Sequence, residues 1–225
     1  MSWPLVLYDW GGWNREIFLL VNEGTPAMFL PLAKLFSYLL GNYWTAPVVM
    51  GGFWVWSRTT SDVDRSLELR AHLARFVVAF GMAFAVVGAS KLLFDFPRPP
   101  AVFGHLWHSF GSVETHYSLP SGHSAYAALV AGGLWPMVRA RWRLALLAYV
   151  ALVGWSRLAA GMHFPADVLA GWTVALGSLV LSSRLLKGLL NAPRIVAPGV
   201  TGEECNCRSA WPLGVVANDD RRRPL

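Results

Sequence analysis

The chain has 225 residues, 55% of them hydrophobic and only 14% charged, with a formal net charge of +6. Soluble domains usually carry about 25% charged residues, so this balance, with a mean hydropathy of +0.41, argues against a water-soluble helical protein. The basic excess does not read as a nucleic-acid surface, because Lys and Arg are not clustered with exposed aromatics or set in a nucleic-acid motif.

The first ten residues, MSWPLVLYDW, lack the basic start and small-residue cleavage site of a signal peptide, so insertion is expected to rely on internal segments. The stretch REIFLLVNEGTPAMFLPLAKLFSYLLG breaks its apolar runs with Asn22, Glu23, Pro26 and Lys34. It reads as one broken span or as two short helices lying in the interface, and the second reading is preferred. A short span bounded by aromatics is expected over Tyr43–Trp56. Four clearer spans follow, at about Leu69–Phe94, Ser121–Val138, Leu144–Ala160 and Pro165–Leu186. Each is long or apolar enough to suit a hydrocarbon layer of about 30 Å. Twelve Trp and twelve Phe supply aromatics of the kind that gather at bilayer interfaces.

The expected fold class is therefore all-α: a polytopic transmembrane helical bundle of five or six spans. Small residues inside the spans, as in FGMAFAVVGAS and AALVAGG, let helices approach closely where only van der Waals contact holds them together. The chain divides into an N-terminal region at 1–42, a transmembrane bundle at 43–190, and a flexible tail at 191–225. The tail has no sustained periodicity. Its Cys205 and Cys207 are too close and too few for a disulfide framework or a zinc site, and they read as unpaired.

Three polar clusters interrupt this apolar chain. KLLFDFPRP (Lys91–Pro99) lies at the exit of one span, PSGHS (Pro120–Ser124) at the entry of the next, and SRLAAGMHFPAD (Ser156–Asp167) between the last two. A chain that leaves at Lys91 re-enters on the same side at Ser121, crosses, turns at RARWR and returns at Ser156–His163. All three clusters are thus expected on one face. The other face carries Arg58, Arg65, Arg70, Arg75, Arg139, Arg141, Arg143, Arg184, Lys187 and Arg194. The positive-inside rule makes that face cytoplasmic and turns the clusters outward, to the periplasm or exterior of an inner membrane.

Lys91, Arg98 and Arg157, with the Ser121 hydroxyl and the free N–H groups at Gly122, describe an oxyanion cradle. Guanidinium forks match phosphate oxygens bidentately, and such clamps stabilise charge on a transferring phosphoryl group. His163 and Asp167 are four apart, with Pro165 suited to the first helical turn. A carboxylate there can hold one imidazole nitrogen as N–H and free the other to attack. His123 can then protonate a leaving oxygen. No metal is needed, and three adjacent cations would repel one from His123, His163 and Asp167. Plainer roles are expected elsewhere: His72, His105, His108 and His116 read as structural and Asp95 as a solvated loop residue. Ser156 reads equally as a capping or a phosphate group.

The ordered triple K-x6-R-P, PSGH and S-R-x5-H-x3-D resembles the type 2 phosphatidic acid phosphatases, which share their site with vanadium haloperoxidases. The resemblance covers about Leu69–Leu186. It implies that His163 is the nucleophile and forms a phosphohistidine, that Asp167 orients it, and that His123 protonates the leaving group. It also implies that Lys91, Arg98, Ser121, Gly122 and Arg157 bind phosphoryl oxygens, with no catalytic metal or other cofactor. The expected function is an integral membrane lipid phosphatase acting on undecaprenyl diphosphate, phosphatidylglycerophosphate or phosphatidic acid. The partners are then the lipid substrate and the bilayer, not nucleic acid. A vanadate-dependent haloperoxidase-like enzyme and a non-catalytic lipid-phosphate binding or transport protein are the alternatives.

Overall fold

A computed structural model describes residues 8–106, 108–110 and 114–191. The expectations for 192–225, including Arg194, Cys205 and Cys207, fall outside the described residues. Every regular element among the described residues is helical.

The N-terminal region forms two helices rather than one broken span. Helix α1, Trp13–Gly24, follows a left-handed Gly12 and ends where Thr25 turns extended before Pro26. Its buried stripe is Asn14, Phe18 and Asn22, four residues apart each time, so two amides flank a phenyl ring on one face. Helix α2, Leu30–Lys34, runs on into a π-helical turn at Leu35–Leu40. Such wide turns occur often at functional sites, and this one buries Ser37.

Helix α3, Ala46–Thr59, follows a 3-10 turn at Tyr43–Thr45, whose Trp44 N–H is capped by Asn42 Oδ1 at 3.1 Å. Helix α4, Val63–Phe94, has 32 residues, about 48 Å of rise. Asp62 caps it, and it stops at Asp95, whose φ of 39° lies in the left-handed region. A short helix α5, Pro99–Phe103, follows. Helix α6, Gly122–Leu134, has 13 residues, about 20 Å, and is shorter than the span expected to reach Val138. Gly132, Gly133 and Pro136 oppose its continuation. Helix α7 is Ala140–Ala159 and α8 is Pro165–Asn191, with Pro165 at its first position as expected.

The core sits where α4, α6 and α8 meet. Phe76, Ala79, Ala83 and Val87 of α4 face Ala125, Tyr126, Ala128 and Leu129 of α6, with Ala175 of α8 closing the cluster. The small residues point inward, while Val77, Val86, Leu92, Leu147, Leu176 and Val180 are exposed on the outside. That is the arrangement of a bundle that lipid, not water, surrounds. Gly171 is essential to it: a Cβ there would stand 2.5 Å from Ser121 O and 3.0 Å from Ala125 N. The α8 backbone therefore lies directly on the first turn of α6. Two segments, Val63–Phe103 and Pro165–Lys187, are long and apolar enough to cross a membrane by length and hydropathy.

Candidate active site

The C-terminal end of α4, the N-terminal ends of α6 and α8, and the C-terminal end of α7 close around a cavity of about 670 Å³. Lys91, Arg98, Gly122, His123, Arg157 and His163 all line it. Residues as far apart in sequence as Tyr38 and His163 thus reach one space. The facing wall is largely apolar, with Tyr38, Tyr43, Trp44, Phe84 and Val87. His123 meets the Tyr43 ring edge-on, 5.8 Å between centroids.

Backbone pairing fixes the first cluster against the segment that leads into the second. Arg98 N–H donates to Thr115 O at 2.8 Å and Ser118 N–H to Phe96 O at 2.9 Å. Ser121 N–H donates to Asp167 O at 2.9 Å, which joins the second cluster to the third. Arg157 and His163 are brought together by the turn after α7. Gly161 makes that turn with a φ of 69°, a conformation that favours glycine.

Asp167 occupies the third position of α8 and reaches back, so that Phe164 N–H donates to its Oδ2 at 2.8 Å. This is one half of a capping box, and it fixes the carboxylate without using side-chain freedom. Ser118 Oγ donates to the same Oδ2 at 2.5 Å, and His163 Nδ1 lies 3.4 Å from it. Tyr8 Oη donates to Oδ1 at 2.8 Å. Asp167 is fully buried and His163 is 2% exposed. Burial, with the Arg157, Arg98 and Lys91 cations nearby, holds the His163 imidazole well below its ordinary value of 6.5. That direction favours the neutral ring, and His163 lines the cavity.

The cations are held by neutral and charged partners. Lys91 Nζ donates to Tyr117 O at 3.0 Å. Arg98 Nε donates to His116 O at 2.9 Å, and its Nη2 pairs with Glu114 Oε2 at 2.5 Å. Arg157 is 4% exposed and donates to Ser37 Oγ through Nη1. Its Nε is buried and has no hydrogen-bond partner among the described residues. An orphaned N–H on a buried guanidinium is costly, and an anionic oxygen in the cavity would satisfy it.

Both candidate serines are engaged at their own helices. The Ser121 hydroxyl does not line the cavity. It is fully buried and caps α6, accepting from Ser124 N at 3.4 Å and from Ser124 Oγ at 3.0 Å. The first-turn N–H groups claim it, as helix N-termini do. Ser156 Oγ likewise donates to Val153 O at 2.7 Å, inside its own helix. His108 is structural, with Nε2 2.8 Å from Thr25 O, and exposed Asp95 pairs with His116 Nδ1 at 3.2 Å. Sequence reasoning missed Tyr8, Asn14, Asn22, Ser37, Glu114 and Ser118. The one available signal was the pair of Asn residues eight apart on an apolar helix.

Residues 72–189 match the model of the PAP2 superfamily. The chain belongs to the PAP2 superfamily. The match holds all three clusters and begins after the whole N-terminal region. The undecaprenyl-diphosphatase of Sulfolobus acidocaldarius is 29% identical over 167 residues, covering 72% of each chain. Among solved structures, LpxE of Aquifex aeolicus superposes with a TM-score of 0.64 at 22% identity, over 75% of this chain and 93% of its own. The PAP2-type phosphatidylglycerolphosphate phosphatase of Bacillus subtilis gives 0.62 at 17% identity, over 82% and 88%. Both share the PAP2 fold with this chain.

Proposed function

We propose that this chain is an integral membrane lipid phosphatase that works through a phosphohistidine on His163, without a metal. The observation that carries the reading is a buried imidazole beside Asp167 at the wall of a cavity where Lys91, Arg98 and Arg157 converge. The cations bind the phosphoryl oxygens, and the N–H groups at the start of α6, at Gly122, add to the cradle. His163 Nε2 attacks phosphorus, the bond from phosphorus to the leaving oxygen breaks, and His123 gives that oxygen its proton. Water then attacks the phosphohistidine and releases inorganic phosphate, passing a proton back to His123.

The favoured substrate is a polyprenyl diphosphate, with the glycerophospholipid phosphates next; the undecaprenyl-diphosphatase relative supports that order. The apolar wall of Tyr43, Trp44, Phe84 and Val87 suits the lipid portion. His163→Ala in purified protein is expected to abolish phosphate release from a panel of diphosphate and monophosphate lipids. Wild-type release by that variant would refute the mechanism. Activity is expected to persist in excess chelator, and a loss that divalent metal restores would count against the metal-free chemistry.

A further inference from the structure

Tyr8 lies outside residues 72–189, the segment that matches PAP2, and it does not line the catalytic cavity. It nevertheless touches two of the polar clusters. Its ring stacks on Phe96 of the first cluster at 4.3 Å between centroids and 10° between planes. It meets Phe164 of the third cluster edge-on at 6.1 Å. Its hydroxyl donates to Asp167 Oδ1 at 2.8 Å.

The two carboxylate oxygens are served unequally. Oδ2 takes Ser118 Oγ, Phe164 N–H and His163 Nδ1. Oδ1 takes Tyr8. Asp167 is fully buried, and a carboxylate removed from water stays charged and fixed only when donors replace the lost solvent. Burial and the adjacent carboxylate raise the Tyr8 phenol above its ordinary range, so it keeps its proton and donates. The rigid ring stack leaves that hydroxyl little freedom to turn elsewhere.

We propose that Tyr8 is a positioning residue for the catalytic carboxylate: by holding Oδ1 it keeps Oδ2 turned to His163 Nδ1. The other imidazole nitrogen is thereby kept toward the cavity. A segment beyond the family-matched region thus completes the shell behind the nucleophile. The inference rests on His163 acting as nucleophile, as proposed above. It separates Tyr8 from a residue that merely packs, because the hydroxyl and the ring make different contacts.

Tyr8→Phe keeps the ring and removes the donor. With phosphatidic acid and undecaprenyl diphosphate in detergent micelles, kcat is expected to fall about tenfold to a hundredfold, the worth of one hydrogen bond to a charged group. KM is expected to stay within twofold, since Tyr8 does not meet substrate. On the residual activity of Asp167→Asn, Tyr8→Phe is expected to add no further loss. A kcat within twofold of wild type would overturn the inference. So would a rise in KM matching the fall in kcat, or the full loss repeated in the Asp167→Asn background. Wild type and His163→Ala are assayed in the same preparation. A failure of the phosphatase reading appears in those two arms, and a failure of the Tyr8 role appears in the Tyr8→Phe arm alone.

Discussion

In the proposed mechanism His163 attacks as a neutral imidazole, and its surroundings favour that form. Desolvation, then Arg157, Arg98 and Lys91, push its proton affinity down from 6.5. The acid limb of kcat/KM due to His163 is therefore expected below pH 6.5, and a pH-rate profile of purified protein checks it. The same shift has a stability consequence. Below pH 6.5 the unfolded chain takes up a proton that folded His163 refuses, so stability falls as pH drops through that window. At this scale the His163–Asp167 contact was legible from sequence, because Pro165 marks where the helix starts and a carboxylate in its first turn can reach back to the residues just before it. Ser121 was only half legible. Its hydroxyl can serve a phosphate or a helix terminus, and the choice depends on where the first turn of α6 points.

Helix α1 shows what an element can do from outside the family-matched segment. Asn22 Nδ2 donates to His108 O at 2.9 Å, Ala159 O at 3.1 Å and Leu158 O at 3.2 Å, and Asn22 Oδ1 accepts from His108 N–H at 3.2 Å. One buried amide thus ties α1 to the end of α7 that carries Arg157, and to the loop after α5. Asn14 Oδ1 accepts from Ala166 N–H at 2.9 Å and satisfies a free donor in the first turn of α8. Asn22→Leu keeps the volume and strips the partners from these groups. It is expected to destabilise the protein by about 2–4 kcal/mol, read by denaturant unfolding in detergent. Exposed Glu23→Gln serves as the control, with a change within about 0.5 kcal/mol. An Asn22→Leu protein as stable as that control would show the network to be dispensable. The spacing of Asn14, Phe18 and Asn22 was visible in the sequence, but spacing alone does not say which carbonyls lie opposite.

For the whole molecule, orientation is the property that decides which lipid leaflet the site serves. The cationic cavity lies at one set of helix ends. Arg65, Arg70 and Arg75 lie in the first part of α4, Arg141 and Arg143 at the start of α7, and Arg184 and Lys187 in the last turns of α8. By the positive-inside rule those basic ends are expected in the cytoplasm and the cavity outside. A Cys introduced at exposed Ser109, with Cys205 and Cys207 replaced by Ser, is expected to react with a membrane-impermeant maleimide in intact cells. Labelling only after permeabilisation would turn the site inward and change the leaflet it serves.

The sequence by itself determined the helical class, the apolar outer surface, the three clusters and their common end of the bundle. Those follow from composition, from periodicity and from counting crossings, all of which are local or additive along the chain. The tertiary structure decided which donors face Asp167, that Ser121 caps a helix, that Ser37 and Glu114 hold the arginines, and that residues 8–42 pack against the site. Hydrogen-bond partners more than a hundred residues apart are set by how α1, α7 and α8 pack. The close approach that Gly171 permits fixes how α8 lies on α6, and no local pattern contains that distance.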